Sequence, residues 1–204
     1  MNLTSLYSVP LWQSEYPEFE EHKELFLQAV KEYKEYNTQS VSSCAGYQSP
    51  STLQGVKRLR PLFEHICISA YKIVSDLNFI DCDVAITDAW LNINDSRQCM
   101  MTEHVHEQTF SGVFYLSAPE ESGKLVLKNP AINKMWKGCP LTLQKNQFTA
   151  ESVRIEPVEG NIIFFPSYLP HSVETNNHDE ERISISFNII ALPKEDMDLK
   201  KVNS

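Results

Sequence analysis

His104 and His106 are separated by one residue, and side chains two apart on an extended segment face the same side. Two imidazoles presented to one point in space are what a first-row transition metal needs from neighbouring ligands. A third histidine, His171, follows the apolar run Phe164-Phe-Pro-Ser-Tyr-Leu-Pro. Arg182 and Ser184 come next, in the β-rich run Arg182-Ile-Ser-Ile-Ser-Phe-Asn188, and share a strand face by the same period of two. A guanidinium beside a hydroxyl forms a directional, charge-assisted cradle for a carboxylate. The pattern therefore points to a metal bound next to a carboxylate co-substrate.

Each residue also has a plainer reading. A His-x-His pair on a sheet is often polar packing satisfied by backbone or water. Arg182 can pair on the surface with Glu174, Glu180 or Glu181, and Ser184 can be a small strand residue. The close succession of His171, Arg182 and Ser184 favours the chemical reading. Imidazole suits Fe, Zn, Cu and Ni, so the ligand types do not name the metal. Non-haem Fe(II) oxygenases commonly use two histidines and one carboxylate, leaving positions open for co-substrate and oxygen. Here the residue two after the first histidine is His106. Glu103 and Glu107 stand at odd spacing from His104, on the opposite side of an ideal strand, although a bulge can bring Glu107 in. Three histidines, with Glu107 in reserve, are the economical ligand set.

Elements that position these groups are legible around them. Leu25, Phe26, Ala29, Val30 and Tyr33 define one apolar face of a helix over 19–36. Leu59, Leu62, Phe63, Ile66, Ala70, Ile73, Val74 and Leu77 define a second over 59–77. An extended opening surrounds 6–12, and the Ser/Thr/Gln/Asn-rich stretch 37–55 reads as a loop. From Asp83 the period changes to two, and 84–94, 112–116, 124–127, 162–165, 171–174 and 182–192 read as strands between Gly, Pro and Asn turns. The polar stretch 131–151 reads as a long binding loop or lid. The expectation is one α+β domain over 1–193, with helical support over 1–82, a β sandwich or barrel over 83–193, and a polar tail over 194–204.

Bulk properties exclude several classes. A length of 204 residues suits one well-packed domain, and 42 % hydrophobic with 22 % charged residues is ordinary globular composition. The longest apolar runs, such as 162–165, are far too short to span a bilayer. Net charge is −9, which disfavours a protein that works by neutralising phosphates, so nucleic acid is not expected as a partner. The opening residues lack a basic segment before an apolar core, and the odd set of cysteines, Cys44, Cys67, Cys82, Cys99 and Cys139, has no Cys-x-x-Cys pair. Reduced thiols and a cytoplasmic location are expected. Cys99, near the histidine pair, reads as a small buried core residue.

Taken in order, Trp90-Leu-Asn92, His104-x-His106 with Ser111-Gly-Val-Phe-Tyr-Leu116, Pro157-Val-Glu-Gly160, Phe165-Pro-Ser-Tyr-Leu-Pro-His171 and Arg182-Ile-Ser184-x-x-Phe-Asn188 resemble the 2-oxoglutarate/Fe(II) oxygenase family found in marine bacteria and tailed phages. The resemblance runs from about residue 90 to 190. It implies a double-stranded β-helix, the jelly-roll core of the cupin superfamily. It implies Fe(II) held by His104, His106 and His171, and 2-oxoglutarate chelating the iron while its far carboxylate meets Arg182 and Ser184. The implied activity is a dioxygenase that converts 2-oxoglutarate and O₂ to succinate and CO₂ while hydroxylating a protein side chain or small metabolite. Trp90, Asn92 and Tyr115 are pocket candidates, and for Trp90 and Tyr115 a core role is an equal reading. His106, where the wider superfamily has a carboxylate, is a departure. Two rivals are a three-histidine cupin metalloenzyme that ignores 2-oxoglutarate and a non-catalytic jelly-roll that binds a peptide or sugar.

Overall fold

A computed structural model describes residues 8–37, 46–79, 81–98, 103–131, 146 and 148–194, and among them two amphipathic helices and nine strands build the fold. Helix α1, Phe19–Tyr36, has Glu20 and Glu21 in its first turn and Lys34 in its last, each complementing the helix dipole. It buries Phe19, Phe26, Ala29 and Val30. Asn37 leaves the helical conformation and its Nδ2 donates to the Tyr33 carbonyl at 2.7 Å, which closes the end. Helix α2, Arg60–Asp76, starts with proline in its first turn and buries Leu62, Phe63, Ile66, Ala70, Ile73 and Val74. Asn78, in the left-handed region at φ 54°, turns the chain out of it.

The strands are β1 (Trp12–Glu15), β2 (Tyr47–Gln48), β3 (Cys82–Asn94), β4 (Phe110–Ser117), β5 (Leu125–Lys128), β6 (Ser152–Ile155), β7 (Asn161–Pro166), β8 (His171–Val173) and β9 (Arg182–Pro193). They form a six-stranded sheet in the order β1-β7-β4-β9-β3-β2 and a three-stranded sheet in the order β6-β5-β8, all paired antiparallel. This is the expected double-stranded β-helix. The residues 103–106 run beside β8 but pair with it only through His104 and His171, so the small sheet's fourth member is reduced to one bridge.

The large sheet has two unlike faces. One packs on the helices through Leu91, Ile93, Phe114, Leu116, Ile162 and Ile185 in the main core. The other meets the small sheet through Val113, Tyr115, Ile163 and Phe165, which contact Leu125, Leu127, Ile155 and Leu169. A bulge between Ile86 and Asp88 adjusts this alternation. It lets Ile86 pair with Ile189 and pack against the helix-side core while Asp88, two residues on, pairs with Asn188. Gly112 is needed where β4 passes Phe187: a Cβ there would run into the Phe187 ring and lie 2.5 Å from the Ile163 carbonyl oxygen.

The region 1–82 does more than support the core. It supplies both edge strands of the large sheet: β1 beyond the expected extended opening, and β2 inside the stretch read as a loop. Strand β6 was also unforeseen, because only Ile155 of its four residues is buried. The interior of the 131–151 loop, the tail beyond 194, and Cys44, Cys99 and Cys139 lie outside the described residues. Cys67 and Cys82 are half-buried. Among the described residues, no helix is long and apolar enough to cross a membrane.

Candidate functional site

His104 and His171 face each other as an antiparallel pair, with His104 N–H donating to the His171 carbonyl at 3.1 Å and the reverse bond at 3.0 Å. The backbone N–H of His106 donates to the Ser167 carbonyl at 2.9 Å, in the turn between β7 and β8. These main-chain bonds hold the two histidine-bearing segments together where regular pairing is missing. One potential ligand atom from each of the three imidazoles lies within 4.8 Å of the others. Ring centroids are 4.2 Å apart for His104 and His171, 5.0 Å for His104 and His106, and 5.4 Å for His106 and His171.

The protonation chemistry suits a metal. Nδ1 of His171 sits 2.9 Å from the Leu169 carbonyl, so Nδ1 carries the proton and Nε2 keeps its lone pair for a ligand. Burial pushes the His171 pKa down to about 4, against the raising effect of the Leu169 bond and with help from His104 and His106. Burial, then the neighbouring His104, pushes His106 down to about 4 as well, while Asp88 opposes the shift. Both rings are therefore neutral donors near neutral pH, as metal coordination requires. A converging all-imidazole set fits Fe(II), and also Zn, Cu or Ni.

Among the described residues, no carboxylate joins this trio. Glu107 is exposed and outside the cluster, and Glu103 is ion-paired with Lys128. The reserve ligand set is thus not assembled in this structure.

Arg182 is buried, and the surface pairing that would have explained it does not occur with Glu174, which pairs with Arg154 at 2.8 Å. The Nη1 of Arg182 donates to the carbonyls of Ser122 and Gly123 at 2.7 and 2.9 Å, and its Nη2 donates to Asn94 Oδ1 at 2.7 Å. Gly123 takes φ 92°, in the left-handed region, and a Cβ there would collide with the Glu174 carbonyl. Across three strands, Ser184 lies level with Asn92 on one side and Tyr115 on the other. Burial raises the Tyr115 pKa to about 12 although nearby Arg182 lowers it, so its phenol stays a neutral donor. Trp90 stands beside His106 with ring centroids 5.8 Å apart. One cavity is lined by the three histidines and by Arg182, Ser184, Tyr115, Trp90 and Asn92. Every proposed site residue except Glu107 is brought to it.

Several polar residues of this cavity were not anticipated. Asn94 holds Arg182, and Asn92 Nδ2 donates to Ser186 Oγ at 3.0 Å. Ser111 Oγ donates to Asn188 Oδ1 at 2.8 Å and lies 2.8 Å from Ser167 Oγ. Extending the period of two from Asn92 and from Ser184 would have found Asn94, Ser186 and Asn188. Ser167, which touches the wall residue Ser111 without lining the cavity itself, carries no such signal.

Three histidines placed so that they could hold a metal, inside a double-stranded β-helix, suit a metalloprotein, and the comparisons narrow the class. A family model described as putative 2OG-Fe(II) oxygenase matches residues 88–188, and through this segment the chain belongs to that family. The alpha-ketoglutarate-dependent carbocyclase SnoK from nogalamycin biosynthesis shares the fold, with a TM-score of 0.67 at 13 % identity over 96 % of this chain and 87 % of that one. A Pseudomonas putida prolyl-4-hydroxylase gives 0.61 at 12 % identity over 92 % and 94 %. HygX from Streptomyces hygroscopicus, solved with nickel, 2-oxoglutarate and hygromycin B bound, gives 0.59 at 10 % identity over 92 % and 84 %. Comparison with curated protein sequences gives no match.

Proposed function

We propose that this chain is a 2-oxoglutarate- and Fe(II)-dependent dioxygenase in which His104, His106 and His171 hold the metal and Arg182 with Ser184 receives the far carboxylate of 2-oxoglutarate. The substrate class we propose is a protein side chain or a small metabolite. The observation that carries the reading is a single cavity with three converging imidazoles and a buried arginine among its walls. Nickel and 2-oxoglutarate bound to HygX on a shared fold support the same pairing of groups here. Bound iron would supply the redox chemistry that couples conversion of 2-oxoglutarate and O₂ to succinate and CO₂ with insertion of an oxygen atom into a substrate C–H bond.

The chain's own contribution is placement. The Leu169 carbonyl fixes the His171 tautomer, and the Ser167 carbonyl fixes the path of His106. The Ser122 and Gly123 carbonyls and Asn94 hold the Arg182 guanidinium in one plane, which orders its fork before a carboxylate arrives. The Tyr115 hydroxyl and Ser184 add neutral donors beside it.

Anaerobic calorimetry with Fe(II) and 2-oxoglutarate tests this. Arg182→Ala should weaken 2-oxoglutarate binding by about 2–5 kcal/mol, as for truncation of one side of a desolvated ion pair, while Fe(II) still binds. His106→Ala should remove stoichiometric iron. Retention of iron by His106→Ala with loss in Glu107→Ala would make Glu107 the ligand. An iron-loaded wild type that binds no 2-oxoglutarate would point instead to a three-histidine metalloenzyme of another kind.

A further inference from the structure

One donor and one acceptor in the cavity wall have no hydrogen-bond partner. Trp90 is 8 % exposed and its indole Nε1 is unpaired; Asn92 is 7 % exposed and its Oδ1 is unpaired. Folded proteins rarely keep buried polar atoms unmet, and those at a ligand cavity are the ones a ligand can satisfy. The two residues stand two apart on β3, on the face that lines the cavity. Asn92 lies level with Ser184 and Trp90 level with Ser186, so Trp90 is displaced from Arg182 by four residues of β9, about 13 Å of strand. The displacement carries it to His106.

2-Oxoglutarate is the wrong partner for this pair. Its carboxylates and ketone only accept hydrogen bonds at neutral pH. Asn92 gives one Nδ2 hydrogen to Ser186 Oγ, and its unmet Oδ1 is an acceptor that needs a donor, which 2-oxoglutarate lacks. A charged group is also unsuited, since Arg182 is the only Lys, Arg, Asp or Glu among the described residues lining the cavity.

We infer that Trp90 and Asn92 are specificity residues that read a neutral amide of the primary substrate. The Trp90 indole N–H donates to the amide carbonyl, and the amide N–H donates to Asn92 Oδ1. Such a pair rejects an ester, which lacks the donor, more strongly than apolar contacts can. A peptide group and a side-chain carboxamide share this chemistry. The inference rests on the oxygenase reading above for the identity of the site, and its test separates the two.

The full-length chain, ¹⁵N-labelled, is loaded with Zn(II), which does not turn over, and saturated with 2-oxoglutarate. Its three tryptophans give three indole N–H resonances, and Trp90→Phe identifies the one of interest. Titration with N-methylacetamide should move the Trp90 resonance saturably. Acetamide and acetyl-alanine methylamide then show whether the carboxamide or the peptide unit is the better source. Asn92→Ala should weaken N-methylacetamide about tenfold, the loss of one hydrogen bond, but leave the weaker binding of N,N-dimethylacetamide, which has no N–H, within about twofold. If Asn92→Ala does not fold, the wild type alone decides, because N,N-dimethylacetamide must bind it less tightly than N-methylacetamide. Equal binding of the two overturns the inference. So does a Trp90 resonance that moves with 2-oxoglutarate and with no amide afterwards, since the pair then serves the co-substrate. Failure of the wild type to take up zinc and 2-oxoglutarate would sink the oxygenase reading instead, and amide titration of the unloaded chain would still decide the role of Trp90 and Asn92.

Discussion

The two faces of the six-stranded sheet are made by alternate residues of the same strands, yet they obey different rules. Toward the helices β9 presents Ile183, Ile185, Phe187 and Ile189, and β4 presents Phe114 and Leu116. Toward the small sheet β9 presents Arg182, Ser184, Ser186 and Asn188, and β4 presents Ser111 and Tyr115. The apolar face is held by burial alone, which is non-directional and tolerates repacking. The other face adds hydrogen bonds to the apolar contacts that Val113, Ile163 and Phe165 make with the small sheet, and its buried polar groups are stable only when each finds a partner. A strand with period two can therefore assign stability to one face and chemistry to the other, and a substitution should damage one without the other.

The largest effect is expected on the helix side. Phe114 is fully buried with its ring 6.2 Å from Tyr16, 6.0 Å from Phe19 and 6.4 Å from Phe26. Phe114→Ala should lower unfolding free energy by about 3–5 kcal/mol in urea titrations. Metal affinity per folded molecule should stay at the wild-type value. A parallel loss of metal affinity would break the separation between the faces.

The same separation explains what could be read from the sequence. Apolar spacing was enough for α1, expected over 19–36 and found there, and for α2 within a residue at each end. The trio was legible because His104 and His106 repeat at two and His171 ends an apolar run. Strand β2 was not, since two residues pair with Asn92 and Ile93 only once β3 exists. The bulge at Ile86/Asp88 leaves no mark in residue type. The carbonyls of Ser122 and Gly123 that hold Arg182 are backbone, which the identity of a side chain does not reveal. Trp90 and Tyr115, read equally as core or pocket, are both: each is buried and each lines the cavity.

A second test uses acid. The folded pKa values of His106 and His171 are lowered, so the unfolded chain takes up protons near pH 6.5 that the folded chain refuses until about pH 4. Their contribution to stability is present above pH 6.5 and is lost as pH falls toward 4. For the well-buried His171 the loss between pH 7 and 5 is about 2 kcal/mol. Urea midpoints of the metal-free chain should fall across that interval, and a His106→Gln/His171→Gln variant should show a flatter profile. His65 on α2 is shifted the same way by burial and leaves a residual slope. An unchanged slope in the double variant would move the acid sensitivity to the helix side.

The smallest expected change in stability concerns the polar brace behind the histidines. Ser111 donates its one proton to Asn188 Oδ1, so the contact between the Ser111 and Ser167 hydroxyls must have Ser167 as donor. Ser167 in turn accepts from His106 N–H and donates its own N–H to the Thr109 carbonyl. The chain of bonds runs from β9 through β4 to the turn that positions His106 and leads into His171. Ser111→Ala leaves the Ser167 hydroxyl and Asn188 Oδ1 short of a partner and should cost about 1–2 kcal/mol of stability. Its effect on the metal should be disproportionate, roughly tenfold in Fe(II) affinity, because groups behind a ligand fix its orientation. Ser111→Thr keeps the hydroxyl and should restore most of that affinity if the added methyl is accommodated. A Ser111→Ala protein that loses stability but binds Fe(II) like the wild type would show that the brace supports the sheet alone, and that the main-chain bonds of His104, His106 and His171 are sufficient to set the site.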